Sequence, residues 1–228
     1  RAVADAVVAE IAAAGVPAVA AYEDLRSERG CSELVARTLD AFGRLDAIVH
    51  NAGLLVFEPL EHEPPSWDAV LATSLDAAFH VTRAAWPGMK ERGYGRVVFT
   101  VSARSMRLKE SVASMSAYNA AKMGAFGLML SVAAEGAEHG IRANAISPVA
   151  GTRMSDRRAE AGELAPELAA PGVLYLASDR CDVSGVVLHA EGGAFRTVAW
   201  QAGDEIECAT PEEIAERWHD IEGVARTP

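Results

Sequence analysis

Tyr118 and Lys122, in the run Tyr118-Asn119-Ala120-Ala121-Lys122, are the side chains of this sequence whose types and spacing most clearly suggest chemistry. Four residues apart on a helix, a phenol and an ammonium share one face, with about 5 to 6 Å between their Cβ atoms. A nearby cation favours phenolate over phenol and draws the tyrosine pKa from about 10 towards the working pH, where it can exchange a proton with a substrate oxygen. A solvated pair on a helix surface is the plain alternative. Three further segments bear on the choice. Arg96 to Val101 is a strand pattern that delivers Ser102 at its C-terminal end, the end at which open α/β sheets bind ligands. Asn51-Ala52-Gly53 ends the apolar run Leu45 to His50, and Pro148-Val149-Ala150-Gly151-Thr152 follows the run Ile141 to Ser147. Singly, Ser102 reads equally well as a cap, Asn51 as a turn residue and Thr152 as surface loop. Together they point to one crevice.

The elements that must position these groups follow from periodicity. Val3, Val7, Val8 and Ile11 recur at helical spacing before Gly15, which predicts an amphipathic helix over residues 2–14. A short strand is expected at Val16 to Ala21 and a helix from Glu28 to Phe42, stopped by Gly43. Strand at Leu45 to His50, helix from Trp67 to Lys90, strand at Arg96 to Val101, helix from Ala117 to Ala137 and strand at Ile141 to Ser147 come next. Pro166 opens another helix, and a last strand runs from Gly185 to His189 towards Gly192-Gly193. Strands alternating with helices predict βαβ units and a doubly wound parallel sheet, an α/β Rossmann-like fold. With 228 residues, one large domain over 1–193 fits, followed by an extension over 194–228. In that extension Thr210-Pro211-Glu212-Glu213 has the capping Thr, the first-turn Pro and the third-position Glu of a helix start, with Ile214 and Trp218 on its apolar side.

Composition narrows the function classes. Half of the residues are hydrophobic and 23% are charged, which excludes disordered, collagenous and coiled-coil chains. The formal charge of -11 repels phosphate backbones and anionic lipid, so neither nucleic acid nor membrane is expected as a partner. Cys31, Cys181 and Cys208 have no CxxC spacing and make no disulfide framework, as suits a reducing cytoplasm. The six histidines show no paired ligand spacing; His50 reads as a buried strand-end residue, and no metal site is expected. The nucleophile elbow of an α/β-hydrolase is absent. Arg153, Arg157 and Arg158 cluster near the expected substrate mouth and read as solvated loop more readily than as a phosphate site.

In order along the chain, Asn51-Ala52-Gly53, Trp67, Gly95-Arg96-Val97-Val98 leading to Ser102, Tyr118-x-x-x-Lys122, Arg142-Ala143-Asn144-Ala145-Ile146-Ser147-Pro148, and Leu174 to Asp179 before Gly192-Gly193 resemble the short-chain dehydrogenase/reductase family. The resemblance covers residues 2–193, and its local flavour is similar to bacterial ketoreductases and the 3-hydroxyacyl-CoA dehydrogenase branch. It implies hydride transfer between NAD or NADP and a small-molecule ketone or secondary alcohol, usually in a homo-oligomer. Tyr118 would be the general acid/base, Lys122 would lower its pKa and hold the nicotinamide ribose, and Ser102 would bond the substrate oxygen. Asn51, Ala52 and Gly53 would line the cofactor, Asp24 and Leu25 would flank the adenine, and Pro148 and Thr152 the nicotinamide.

Three departures qualify it. Ser74 stands where the family has an Asn that supports a proton relay, which implies a catalytic Ser74 in a shortened or altered relay. The loop between Ser102 and Tyr118 is three residues longer than usual and makes Ser105 a rival to Ser102. No Gly-x-x-x-Gly-x-Gly phosphate loop is present. An upstream strand, glycine turn, helix and second strand are therefore expected before Arg1, so that Val16 to Ala21 would be the third strand and Leu45 to His50 the fourth. The rival reading, from another class, is a member of this fold that has lost redox activity and acts as a binding protein or non-redox catalyst.

Overall fold

The computed structural model describes residues 2–61, 66–106, 113–152, 162–200 and 202–222. The chain opens with helices α1 (Ala2–Ala13) and α2 (Glu28–Phe42), then strand β1 (Ala47–His50) and helix α3 (Trp67–Leu71). A π-helical turn, Ala72–Asp76, joins α3 to α4 (Ala77–Arg92), followed by β2 (Gly95–Thr100), α5 (Ser116–Gly136) and β3 (Ile141–Val149). Helix α6 (Ala170–Ala177), strands β4 (Val187–Glu191) and β5 (Ala194–Val198), and short helices α7 (Pro211–Glu216) and α8 (Trp218–Glu222) complete it. The chain divides into two compact units, residues 1–197 and 198–228.

The sheet has the order β1-β2-β3-β4-β5. Its first four strands are parallel, with Ala47 opposite Arg96, Gly95 opposite Ile141 and Ala145 opposite Val187. A two-residue turn joins β4 to β5, which makes that pair antiparallel. Gly192 and Gly193 both have positive φ, 55° and 80°, the conformation such a turn demands and side chains resist. β5 is a strand that the sequence pattern did not reveal: its Ala194 to Thr197 are exposed and offer no buried alternation to read.

Both faces of the sheet are covered, as a doubly wound fold requires. On one face Val98, Ile146 and Ala190 pack against Leu176 of α6 and Cys181. On the other, His50 stacks against Phe99 with ring centroids 4.8 Å apart and bonds the Thr82 hydroxyl of α4 at 2.8 Å. Helix α5 packs along β3 and β2. Asn144 is fully buried in β3; its amide donates to the Val183 carbonyl at 2.9 Å and accepts from the Val186 N–H at 3.1 Å, which pins the approach to β4.

Helix expectations are met closely at α2, where the Ser27 hydroxyl accepts from the Gly30 N–H and Gly43 ends the helix. Three expectations fail. Residues 16–24 form no strand; a parallel strand needs a hydrogen-bonded neighbour, and none pairs with this run among the described residues. β1 is likewise bonded on one edge, to β2. The expected single helix from Trp67 to Lys90 is interrupted by the π turn at Ala72–Asp76, a single widened turn inside it. The proline-led segment is also split, into a 3-10 turn at Pro166–Leu168 and α6. In the C-terminal unit Thr210 caps α7 as its sequence predicts, its side chain accepting from the Glu213 N–H at 3.2 Å. No helix among the described residues is long and apolar enough to cross a membrane.

Candidate active site

The C-terminal ends of β1, β2 and β3 carry Asn51 to Gly53, Ser102, and Pro148 to Thr152, and α5 begins beside them. Tyr118 and Lys122 occupy its first two turns. Ser102 and Lys122 are buried and Tyr118 is half-buried. Ser102 hydrogen-bonds the Tyr118 phenol. The Lys122 ammonium lies 5.7 Å from the centre of the Tyr118 ring and donates to the Thr100 carbonyl at 2.8 Å. The rival Ser105 is engaged elsewhere, donating to Asn119 Oδ1 at 2.8 Å.

Short contacts join the other segments to this core. The Thr100 hydroxyl donates to Asn51 Oδ1 at 3.1 Å, tying the ends of β1 and β2. Ser74, buried in the π turn, accepts from the Leu54 N–H at 3.3 Å. Gly53 is pressed between the two: a Cβ there would lie 3.1 Å from Ser74 Oγ and 3.6 Å from Lys122 Nζ. The glycine lets this loop lie close against Ser74, where a Cβ would be tight, while the distance to Lys122 is an ordinary contact. Ser74 therefore supports the Asn51–Leu54 loop with its hydroxyl.

The electrostatics correct one expectation. Burial pushes the Tyr118 phenol up; the hydrogen bond from Ser102 and the charge of Arg104 act in the opposite direction, and Lys122 is not among the groups that lower it. Burial also pushes Lys122 down to about 8. Desolvation is the cause of that shift, although the ammonium donates to the Thr100 carbonyl. His50, packed and neutral, is pushed down to about 3 by burial.

The remaining predicted residues fall as follows. Leu25, Asn51, Ala52 and Ser74 line one cavity of about 90 Å³ together with Ile48 and Ala78. Asp24 is exposed beside it, its carboxylate gripped by Arg26 at 2.8 to 3.2 Å and held down to about 2 by that cation. Pro148 is half-buried in β3 opposite Ala190, and Thr152 is exposed beyond the strand. Arg153, Arg157 and Arg158 lie outside the described residues. Sequence reasoning missed Thr100 and Asn119, whose bonds to Asn51, Lys122 and Ser105 lock the site; Asn119 was legible only as the neighbour of Tyr118.

An α/β sheet that gathers Ser, Tyr and Lys at the carboxyl ends of its strands defines a class of nucleotide-dependent oxidoreductase, and the comparisons agree. Residues 1–162 match the short chain dehydrogenase family. A short-chain type dehydrogenase/reductase of Mycobacterium tuberculosis is 38% identical over 96% of this chain and 78% of its own length. The peroxisomal multifunctional enzyme type 2 of Mus musculus is 36% identical over 96% of this chain, which spans 30% of that protein. The crystal structure of a short chain dehydrogenase from Mycobacterium avium superposes with a TM-score of 0.84 at 34% identity, over 98% of this chain and 80% of that one. The chain belongs to the short-chain dehydrogenase family and is an oxidoreductase.

Members of this family use nicotinamide cofactors in general. The residues here fit the two ends of one: the cavity that joins Leu25 to Asn51 and Ala52 suits a nucleoside, and the glycine approach at Gly53 opens the loop onto Lys122 and Ser74. A dinucleotide is far larger than 90 Å³, so that cavity has room for no more than part of one.

Proposed function

We propose that the chain interconverts a ketone and a secondary alcohol with NAD or NADP, Tyr118 acting as general acid/base. The observation that carries this reading is the Tyr118 phenol bonded to Ser102 with the buried ammonium of Lys122 on the same helix face. When bound, the nicotinamide supplies or accepts the hydride. Tyr118 passes its phenolic proton to the substrate oxygen during reduction and recovers it during oxidation. Ser102 donates to the same oxygen as charge develops there. Lys122 holds the ribose hydroxyls through its ammonium. Asn51, Ala52 and Gly53 line the cofactor, Asp24 and Leu25 flank its adenine, and Pro148 and Thr152 its nicotinamide. Ser74 acts on that loop through the Leu54 N–H, which takes the place of a long relay. A homo-oligomer in a reducing compartment, the cytoplasm, completes the reading; the three free cysteines support the compartment.

Nicotinamide fluorescence on titration with NADH and NADPH separates this from the non-redox reading that Ser74 favours. Binding by either is expected, and Tyr118→Phe lowers carbonyl reduction at least about 10²-fold with the circular dichroism unchanged. Near-normal turnover in that variant would remove Tyr118 from its role, and no binding of either nucleotide would favour the non-redox reading. With Lys122 titrating at about 8, nicotinamide binding weakens as pH rises through that value, because a neutral amine holds the ribose less firmly than an ammonium.

A further inference from the structure

Arg104 is a charged residue at this end of the sheet that the reaction above leaves without work. It stands two residues beyond Ser102, in a turn closed by the Met106 N–H donating to the Ser102 carbonyl at 3.1 Å. That turn is fastened to α5 at two consecutive residues. Ser102 bonds Tyr118, and Ser105 bonds Asn119 at 2.8 Å. Arg104 lies between the fastenings, so its backbone is fixed beside the reacting phenol, and its side chain is half-buried. Its charge reaches the phenol.

Five of the other described arginines pair closely with carboxylates, whereas Arg96, Arg142 and Arg217 donate to backbone carbonyls. Arg26, Arg29, Arg37, Arg44 and Arg83 each sit within 2.8 Å of a carboxylate oxygen, and acidic residues outnumber basic ones 32 to 21. Among the described residues no carboxylate pairs with Arg104. A partly desolvated guanidinium without an anion is an unfavourable arrangement, and its planar fork of donors matches a carboxylate. Its place beside Tyr118 means that an anion seated there belongs to the molecule whose oxygen Tyr118 protonates.

We infer that Arg104 binds a carboxylate of the substrate, so that this pocket takes short oxo and hydroxy acids in preference to their neutral esters and thioesters. The inference rests on the oxidoreductase reading for the identity of the reacting oxygen. A carboxylate a few carbons from the carbonyl reaches Arg104 while the carbonyl oxygen meets Ser102 and Tyr118. A thioester of the same acid has lost that charge.

Butyrate, an inert carboxylate, tests the site without turnover. By NMR titration it binds the wild-type chain at least tenfold more tightly than Arg104→Gln, and its preference over neutral butyramide falls by the same factor in that variant. Arg104→Lys, a point charge without the fork, recovers part of the preference and shows that the loss is not misfolding. Equal butyrate binding to wild type and Arg104→Gln, or none to either, overturns the inference. In turnover, the ratio of kcat/KM for 3-oxobutyrate to that for its methyl ester falls at least tenfold in Arg104→Gln. An equal loss for acid and ester also overturns it, because Arg104 would then act on Tyr118 alone. Butyrate held through Arg104 in a chain that reduces neither compound would leave this site standing and retire the oxidoreductase reading.

Discussion

The centre of the sheet and the N-terminal helix are built from similarly apolar sequence and end in opposite surroundings. Val97, Val98 and Phe99 of β2 are 0% exposed, while Val3, Val7 and Ile11, spaced four apart along α1, are 65%, 49% and 37% exposed. No residue of α1 is buried. Periodicity alone formed the helix, but burial depends on a partner surface, and β2 has one on each side and on each face. The proposed catalytic groups stand on the buried half. Ser102 and Lys122 rest on a frame that cannot relax without opening the core, which keeps their geometry fixed.

The largest effect expected from this contrast is at Phe99. Phe99→Ala leaves a void beneath His50 and costs about 3 to 5 kcal/mol of stability, read from urea unfolding. A loss near 1 kcal/mol would mean that the sheet centre collapses around the void and is less rigid than its burial implies. His50 adds an acid sensitivity to the same region. Its folded pKa of about 3 lies below the ordinary value near 6.5, so the unfolded chain takes up the proton first as pH falls. Stability from this group is present above about 6.5 and is lost progressively towards 3, about 1 to 2 kcal/mol of it by pH 5. The comparison of unfolding at pH 7 and pH 5 in wild type and His50→Asn isolates that share, which should vanish in the variant.

Ser74→Ala probes the seam between core and loop. Loss of the hydroxyl frees the Leu54 N–H and should cost about 1 kcal/mol while weakening nicotinamide binding, measured by fluorescence titration. An unchanged dissociation constant would show that the loop does not need Ser74. The smallest effect lies at the exposed end. Val7→Ala should change stability by no more than about 0.5 kcal/mol. A loss comparable to that of Phe99→Ala would show that α1 has a partner surface and would dissolve the contrast between the two regions.

Much of this molecule was legible in its sequence because the signals were local. Helix α2 declares its limits through Ser27 and Gly43, α7 through Thr210 and Pro211, and the parallel strands β1 to β3 through short apolar runs. The ordered set of Asn51, Ser102, Tyr118 and Lys122 named the family before any contact was known. What required tertiary structure was everything that depends on a neighbour. Val16 to Ala21 has the composition of a strand, yet strand pairing is a property of two segments, and it has no ladder among the described residues. The π turn that carries Ser74 against Gly53 is defined by its backbone hydrogen bonds, which exist only in the folded chain. The spacing of Tyr118 and Lys122 predicted their common helix face, but the protonation of each is set by desolvation and, for Tyr118, by Ser102 and Arg104, which the fold brings from the end of β2. A sequence carries the order of its chemical groups, whereas the distances and the dielectric between them exist only once the chain has folded.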